Sequence, residues 1–210
     1  MIAWYDNIPI LSWFLLRCQC RHCKQTISWL YPFIESTTLL ILCLYLYIPH
    51  HYFFAYFIFI SALIVTIRTD IETMLISRYV TLFLVPIAFI LSWYNLLPIS
   101  FSMSIYGAVF GYLFLFIINY VFKYFANKDG IGEGDFDLLC FIGSFTGIIG
   151  CWVAVTIGSA LGSLVGIGYL LYVHYFTTHK TISTTKIPFG PFLACGAIVY
   201  VFFKHIIGFA

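Results

Sequence analysis

Long apolar runs separated by short polar breaks make up the chain from residue 33 onward. A helix that crosses a membrane needs about 20 predominantly apolar residues, and seven runs have this length or come close to it. The breaks contain turn-forming or polar residues, such as Pro49 and the stretch 127–134. We therefore predict seven membrane helices, at 33–48, 51–67, 76–94, 101–124, 136–150, 152–175 and 189–208.

The composition supports this interpretation. Of 210 residues, 62% are hydrophobic and 9% are charged, and the mean hydropathy is +1.01, whereas about 25% of a soluble domain is charged. So few polar residues exclude a soluble domain, a disordered chain and a nucleic-acid binder. We predict an all-α polytopic membrane helix bundle of about seven transmembrane helices, with residues 1–32 as an N-terminal loop and 33–210 as the transmembrane domain.

The charged residues orient the predicted helices. With the N-terminus in the cytoplasm, every Lys and Arg except Lys204 falls toward the cytoplasmic side, which agrees with the positive-inside rule. The 8 acidic residues fall in or beside the same cytoplasmic segments. This one-sided distribution indicates that the chemistry of the protein faces the cytoplasm.

Asp70 and Asp135 are the candidate catalytic residues. Asp70 ends the second predicted helix and Asp135 begins the fifth, so both lie near the cytoplasmic interface. Ionisable groups at membrane depth are costly and indicate function by default, and two neighbouring carboxylates tend to share one proton. That state suits peptide hydrolysis, because one carboxylate activates water while the protonated one polarises the scissile carbonyl.

Glycines before Asp135 favour this pairing. Gly130, Gly132 and Gly134 allow positive φ angles and a close approach to another helix, which would bring Asp135 toward Asp70. In the structural alternative, both aspartates only cap helices or pair with nearby basic residues. A carboxylate pair is a weak motif by itself, so the residues alone leave both interpretations open.

Four short motifs occur in order along the chain. They are residues 7–13 (NIPILSW), 20–23 (CRHC) with 31–35 (YPFIE), 132–135 (GEGD) and 187–194 (IPFGPFLA). Over nearly the whole chain, this set resembles the bacterial type IV prepilin peptidases, the bifunctional leader peptidase/N-methyltransferases of the GxGD aspartyl protease family.

The resemblance implies a protease of the bacterial inner membrane, with Asp70 and Asp135 at the positions of the two catalytic aspartates. Its implied substrates are type IV prepilins and type II secretion pseudopilins, whose leader peptide is cut at the cytoplasmic face. Members usually then methylate the new N-terminal amine with S-adenosylmethionine. The sequence leaves open the methyl-donor site, the separate roles of the two aspartates and the oligomeric state.

The chain departs from the family pattern at several points. The family's additional N-terminal span and first CxxC pair are not found before residue 7, so we expect a seven-span version of an eight-span family. Asp137 stands at the lysine of the family's GDxK motif, and residues 75–78 (LISR) replace its LPD or IPN stretch. Arg78, Lys128 and Asp137 lie near the cytoplasmic loops and are candidates for contact with the substrate leader.

Cys20 and Cys23 have the spacing of a zinc knuckle, but structural zinc usually needs four ligands. In the family, two such pairs form a four-cysteine site, so the resemblance implies half a site here. Cys18 and His22 are the candidates to complete a site in one chain, and a dimer could share two half-sites. The alternative is a set of reduced cytosolic thiols.

Two other functions compete with an active peptidase. A truncated, catalytically inactive remnant of the family would explain the missing span and the altered GDxK motif. A transporter or proton channel could use the aspartates as a relay. A relay requires acidic residues along a path through several helices, however, and here they gather at the cytoplasmic end.

Overall fold

A computed structural model shows an all-helical protein. It describes residues 11–21, 23–28, 30–127, 130–176 and 188–207, and this part of the chain contains no β-strand beyond an isolated bridge between Gln19 and Thr26. The helices are α1 (Leu11–Leu15), α2 (Leu30–Tyr47), α3 (His50–Thr73), α4 (Arg78–Trp93), α5 (Phe101–Ala126), α6 (Glu133–Phe176) and α7 (Gly190–Ile207).

Long apolar helices confirm the predicted fold class. Within the described residues, three are long and apolar enough to cross a membrane: His50–Thr73, Phe101–Ala126 and Glu133–Leu171. Three shorter apolar helices accompany them: Glu35–Tyr47, Arg78–Trp93 and Gly190–His205. The protein is therefore a multi-pass membrane helix bundle.

The chain divides into two compact units, Met1–Ile48 and Pro49–Ala210. The first contains α1 and α2, and the second contains α3 to α7 with both candidate aspartates. The domain division predicted after residue 32 falls inside the first unit and stays a prediction.

The fifth and sixth predicted helices are two limbs of α6. An uninterrupted helix over its 44 residues would be about 66 Å long, about twice the thickness of the hydrocarbon core. The helix is interrupted at Gly147, where φ is 74° and ψ is −174°. The Cys151 thiol lies 3.7 Å from the Leu139 carbonyl oxygen, although residues this far apart in a straight helix are separated by about 18 Å. The chain therefore reverses at Gly147, and the break that we predicted near Cys151 was misplaced by a few residues.

Helix α3 is longer than predicted. It continues to Thr73 rather than ending near residue 67, so Asp70 lies inside its last turns. The polar sequence at this end is not typical of a membrane helix. Arg68 and Glu72, one turn apart, form an ion pair of 2.5 Å, and such pairs stabilise a helix.

Glycines allow α5 and the first limb of α6 to pack backbone against backbone. A Cβ atom on Gly107 would overlap the carbonyl oxygen of Gly143, and one on Gly143 would overlap the carbonyl oxygen of Gly107. This is the close packing that small residues permit between membrane helices. The contact fixes the limb of α6 that begins just before Asp135.

Aromatic rings fix the register of α3 against the same limb. The ring centroids of Phe59 and Phe145 are 4.9 Å apart in a stacked arrangement. Asp70 lies eleven residues after Phe59, and Asp135 lies ten residues before Phe145. Since both helices rise by about 1.5 Å per residue, this register brings the two aspartates to the same end of the bundle.

Candidate active site

Asp70 is held at the junction of α3 and α7. Its residue is 5% exposed, and its Oδ2 accepts a hydrogen bond of 3.1 Å from the N–H of Gly190. Gly190 is the first residue of α7, so the carboxylate lies at a helix N-terminus, where unpaired N–H groups and the helix dipole favour negative charge.

Asp135 occupies the first turn of α6 and is 8% exposed. Its N–H donates to the carbonyl oxygen of Gly132 at 3.1 Å, which closes the turn between the glycine-rich loop and the helix. A Cβ atom on Gly132 would lie 3.5 Å from Oδ2 of Asp135. The carboxylate therefore lies against the glycine-rich loop.

Ile76 connects the segments that carry the two aspartates. A Cβ atom on Gly134 would lie 2.8 Å from the Cβ of Ile76, and one on Gly190 would lie 3.1 Å from its Cδ1. Gly134 must be a glycine because Ile76 occupies the place of a Cβ atom there, whereas at Gly190 the nearest atom is Oδ2 of Asp70, at 2.6 Å. Gly190, which binds Asp70, and Gly134, which precedes Asp135, therefore lie against the same side chain. The structure thus brings together Asp70, Asp135 and both motif glycines, Gly132 and Gly134.

Asn119 holds the glycine-rich loop on α5. Its Oδ1 accepts hydrogen bonds from the N–H groups of Gly130, at 3.0 Å, and Ile131, at 3.1 Å. A Cβ atom on Gly130 would lie 2.6 Å from a ring carbon of Phe122, so the loop also packs closely on the helix. Asn119 was not among the predicted site residues, although a side-chain amide within an apolar run was an available signal.

An ion pair joins the segments that follow the two aspartates in sequence. Nε of Arg78 donates to Oδ2 of Asp137 at 2.7 Å, and the Asp137 side chain is 1% exposed. A second carboxylate, on Glu133, lies 3.8 Å from Arg78 but is 82% exposed. Asp137, a candidate for contact with the leader, is therefore buried against Arg78. Lys128, the third candidate, lies outside the described residues.

Cys20 and Cys23 lie on a tight turn of the first unit. The N–H of Lys24 donates to the carbonyl oxygen of Cys20 at 3.0 Å, and the N–H of Cys20 donates to that of Gln25 at 2.8 Å. Across the described ranges, no group of three or more His, Cys, Asp or Glu side chains is placed to hold a metal ion, and His22 lies outside them. Two thiols are fewer than the four donors of a structural zinc site. Cys20 and Cys23 by themselves therefore do not fit zinc, and zinc binding stays a prediction.

Comparison with known families identifies the chain. Residues 57–171 match the family model described as the type IV leader peptidase family, and residues 1–48 match that of the bacterial peptidase A24 N-terminal domain. The chain belongs to the type IV leader peptidase family. This confirms the resemblance drawn from the motifs. Both Asp70 and Asp135 fall within the leader peptidase match, whereas Gly190, which binds Asp70, follows it.

Curated relatives agree with this assignment. The prepilin leader peptidase/N-methyltransferases of Stutzerimonas stutzeri and Aeromonas hydrophila are each 33% identical, over 91% and 90% of this chain and 64% and 63% of their own length. The corresponding protein of Pectobacterium carotovorum subsp. carotovorum is 32% identical over 94% of this chain and 69% of its own length. The chain thus spans a little under two thirds of the first two relatives. No solved structure shows a significant match.

Proposed function

We propose that this chain is an intramembrane aspartyl endopeptidase that cleaves the leader peptide of type IV prepilins and type II secretion pseudopilins. The observation that carries the proposal is the meeting of Asp70 and Asp135 at one end of the bundle, with both residues less than a tenth exposed. Similarity to proteins named prepilin leader peptidase/N-methyltransferase supports the substrate class.

The mechanism follows from two carboxylates in a site of low dielectric constant. Such a pair shares a proton, so one carboxylate can accept a proton from the attacking water while the other donates a hydrogen bond to the scissile carbonyl. The N–H of Gly190 holds Oδ2 of Asp70 and so limits rotation of that carboxylate. Ile76 packs on Gly134 and Gly190 beside the aspartates, and an apolar side chain at this place would limit the access of water to the site.

The proposed location is the bacterial inner membrane, with the N-terminus and the catalytic end in the cytoplasm. Arg68 and Arg78 lie close to Asp70 in sequence, and Lys123 lies at the end of α5 near the glycine-rich loop. A cluster of basic residues at one end of a bundle indicates its cytoplasmic side. The lipid bilayer and the prepilins are therefore the proposed partners.

Cleavage of a co-expressed prepilin tests the central proposal. We expect membranes containing the unaltered chain to convert the prepilin to its shorter form, as seen on an immunoblot. Asp70→Asn and Asp135→Asn should each reduce the rate by about 100-fold or more, the usual effect of removing an acid–base group. The matched control is Glu133→Gln, which changes an 82% exposed carboxylate in the first turn of α6 and should leave cleavage unchanged.

The same assay separates the competing functions. No cleavage by the unaltered chain, at normal levels in the membrane, would favour an inactive remnant. Persistent cleavage by Asp135→Asn would remove the aspartyl mechanism. Proton flux into vesicles that depends on Asp70, without cleavage, would favour a transporter. Methylation of the new N-terminal amine is measured separately with labelled S-adenosylmethionine, because the relatives' name includes N-methyltransferase.

A further inference from the structure

Two departures from the family motifs meet in the folded chain. Asp137 stands at the lysine of the GDxK motif, and Arg78 ends the segment that replaces the LPD or IPN stretch. They are 59 residues apart in sequence, yet their side chains form a hydrogen-bonded ion pair of 2.7 Å. An acid in place of a lysine would by itself change the charge beside the aspartates, and Arg78 supplies the compensating positive charge.

The buried position of Asp137 makes this pairing important. Its side chain is 1% exposed, and an ionised carboxylate without a partner is very costly in a buried environment. Arg78 is 57% exposed, so its guanidinium reaches inward from the surface. Glu133 is a much weaker competitor, because it lies 3.8 Å from Arg78 and is mostly exposed.

The pair connects the two segments that form the candidate site. Arg78 lies two residues after Ile76, and Asp137 lies two residues after Asp135. Residues 74–77 leave α3 through Met74, whose φ of 54° lies in the left-handed region. This short connector carries Ile76, so a link at Arg78 controls where the connector lies on α6.

We propose that the Arg78–Asp137 ion pair is a positioning device for the candidate aspartates. It holds the connector 74–77 against the first turns of α6 and thereby keeps Ile76 packed against Gly134 and against Gly190, the residue that binds Asp70. Neither member of the pair is a catalytic residue. The inference rests on the proposed function for its effect on cleavage, but its effect on the connector is independent of any activity.

Kinetics of leader cleavage give the first test. Asp137→Asn keeps the shape of the side chain and removes its charge, and should lower kcat about tenfold while KM stays within about twofold. Asp137→Arg, which places two cations together, should lower kcat further. The exchanged pair Arg78→Asp/Asp137→Arg should recover at least about tenfold over Asp137→Arg alone. The control Glu133→Gln should change kcat by less than about twofold.

Hydrogen exchange of residues 74–78 in the full-length chain gives a test that needs no activity. We expect exchange about fivefold faster or more in Asp137→Asn and no change in Glu133→Gln. If Asp137→Asn does not reach the membrane, Arg78→Lys replaces it in this test. That variant keeps the positive charge but loses the Nε donor, so hydrogen exchange at residues 74–78 should also be faster. Hydrogen exchange at residues 74–78 that is unchanged in Asp137→Asn would overturn the positioning role. So would a double variant Arg78→Asp/Asp137→Arg whose kcat is no higher than that of Asp137→Arg. If the unaltered chain does not cleave the leader but the variants show the expected hydrogen exchange, only the proposed function is refuted.

Discussion

A single methyl group at Gly190 would test the geometry of the candidate site directly. The N–H of Gly190 donates to Oδ2 of Asp70 at 3.1 Å, and a Cβ atom there would lie 2.6 Å from the same oxygen. Gly190 begins α7 and its φ lies outside the left-handed region. Gly190→Ala therefore adds bulk against the carboxylate without backbone strain.

The size of the effect can be worked from these distances. The carboxylate oxygen would have to retreat by about 0.8 Å to reach an ordinary contact of about 3.4 Å. A misplacement of about 1 Å in an active site can cost about 100-fold. Loss of the hydrogen bond from Gly190 removes about 1.5–3 kcal/mol, which corresponds to about 10-fold to 150-fold. We therefore expect kcat of Gly190→Ala to fall by about 10-fold to 100-fold.

Stability should change little, because the close contacts involve only the ends of two side chains, the Asp70 carboxylate and Cδ1 of Ile76 at 3.1 Å. The assay is leader cleavage by protein purified in detergent, with kcat, KM and the thermal unfolding midpoint measured on the same preparation. The matched control is Gly168→Ala in α6, where a Cβ atom would meet nothing within 4 Å. An unreduced kcat in a folded Gly190→Ala variant would refute the claim that this contact positions a catalytic carboxylate.

Variants at three further positions test other parts of the structure. Asn119→Ala removes the acceptor for two N–H groups of the glycine-rich loop; we expect kcat about tenfold lower and faster hydrogen exchange in the loop, whereas Asn119→Asp keeps an acceptor and should exchange slowly. Identical exchange in both would contradict the role of Asn119. Gly147→Ala forces an L-residue to a φ of 74° and should cost about 1–3 kcal/mol, seen as a lower unfolding midpoint than that of Gly168→Ala. Gly107→Leu would drive a side chain into the backbone of α6 and should reduce the yield of folded protein in the membrane; a normal yield would be inconsistent with the backbone contact between α5 and α6.

The helical class and most helix positions were predictable from the sequence because a bilayer restricts what an apolar chain can do. Each unpaired backbone group in hydrocarbon costs several kcal/mol, so a long apolar run must form a helix. The helix α5 illustrates this, since its observed bounds, Phe101–Ala126, agree closely with the predicted 101–124. The end of α3 was predicted less well, because the helix continues to Thr73 through the polar residues that follow the apolar run.

The place where α6 reverses was not predictable to the residue. Gly143, Gly147 and Gly150 occur in one apolar run, and each could adopt a non-helical conformation. Packing makes the choice: Gly143 is required for contact with Gly107 of α5, and the reversal at Gly147 places the Cys151 thiol against the first limb. Contacts between helices therefore decided a local conformation that local sequence left open.

The sequence by itself selected Asp70 and Asp135, because acidic residues are rare in this chain and topology gives those two the same depth. Only the tertiary structure showed that Gly190 and Ile76 lie near the aspartates and that Arg78 pairs with Asp137. Gly190 belongs to the motif at 187–194 and Ile76 to the stretch at 75–78, but no local pattern shows that Gly190 contacts Asp70 across 120 residues or that Ile76 packs on Gly134. Scarcity of charge shows which residues are costly at membrane depth, whereas their partners depend on where distant helices meet.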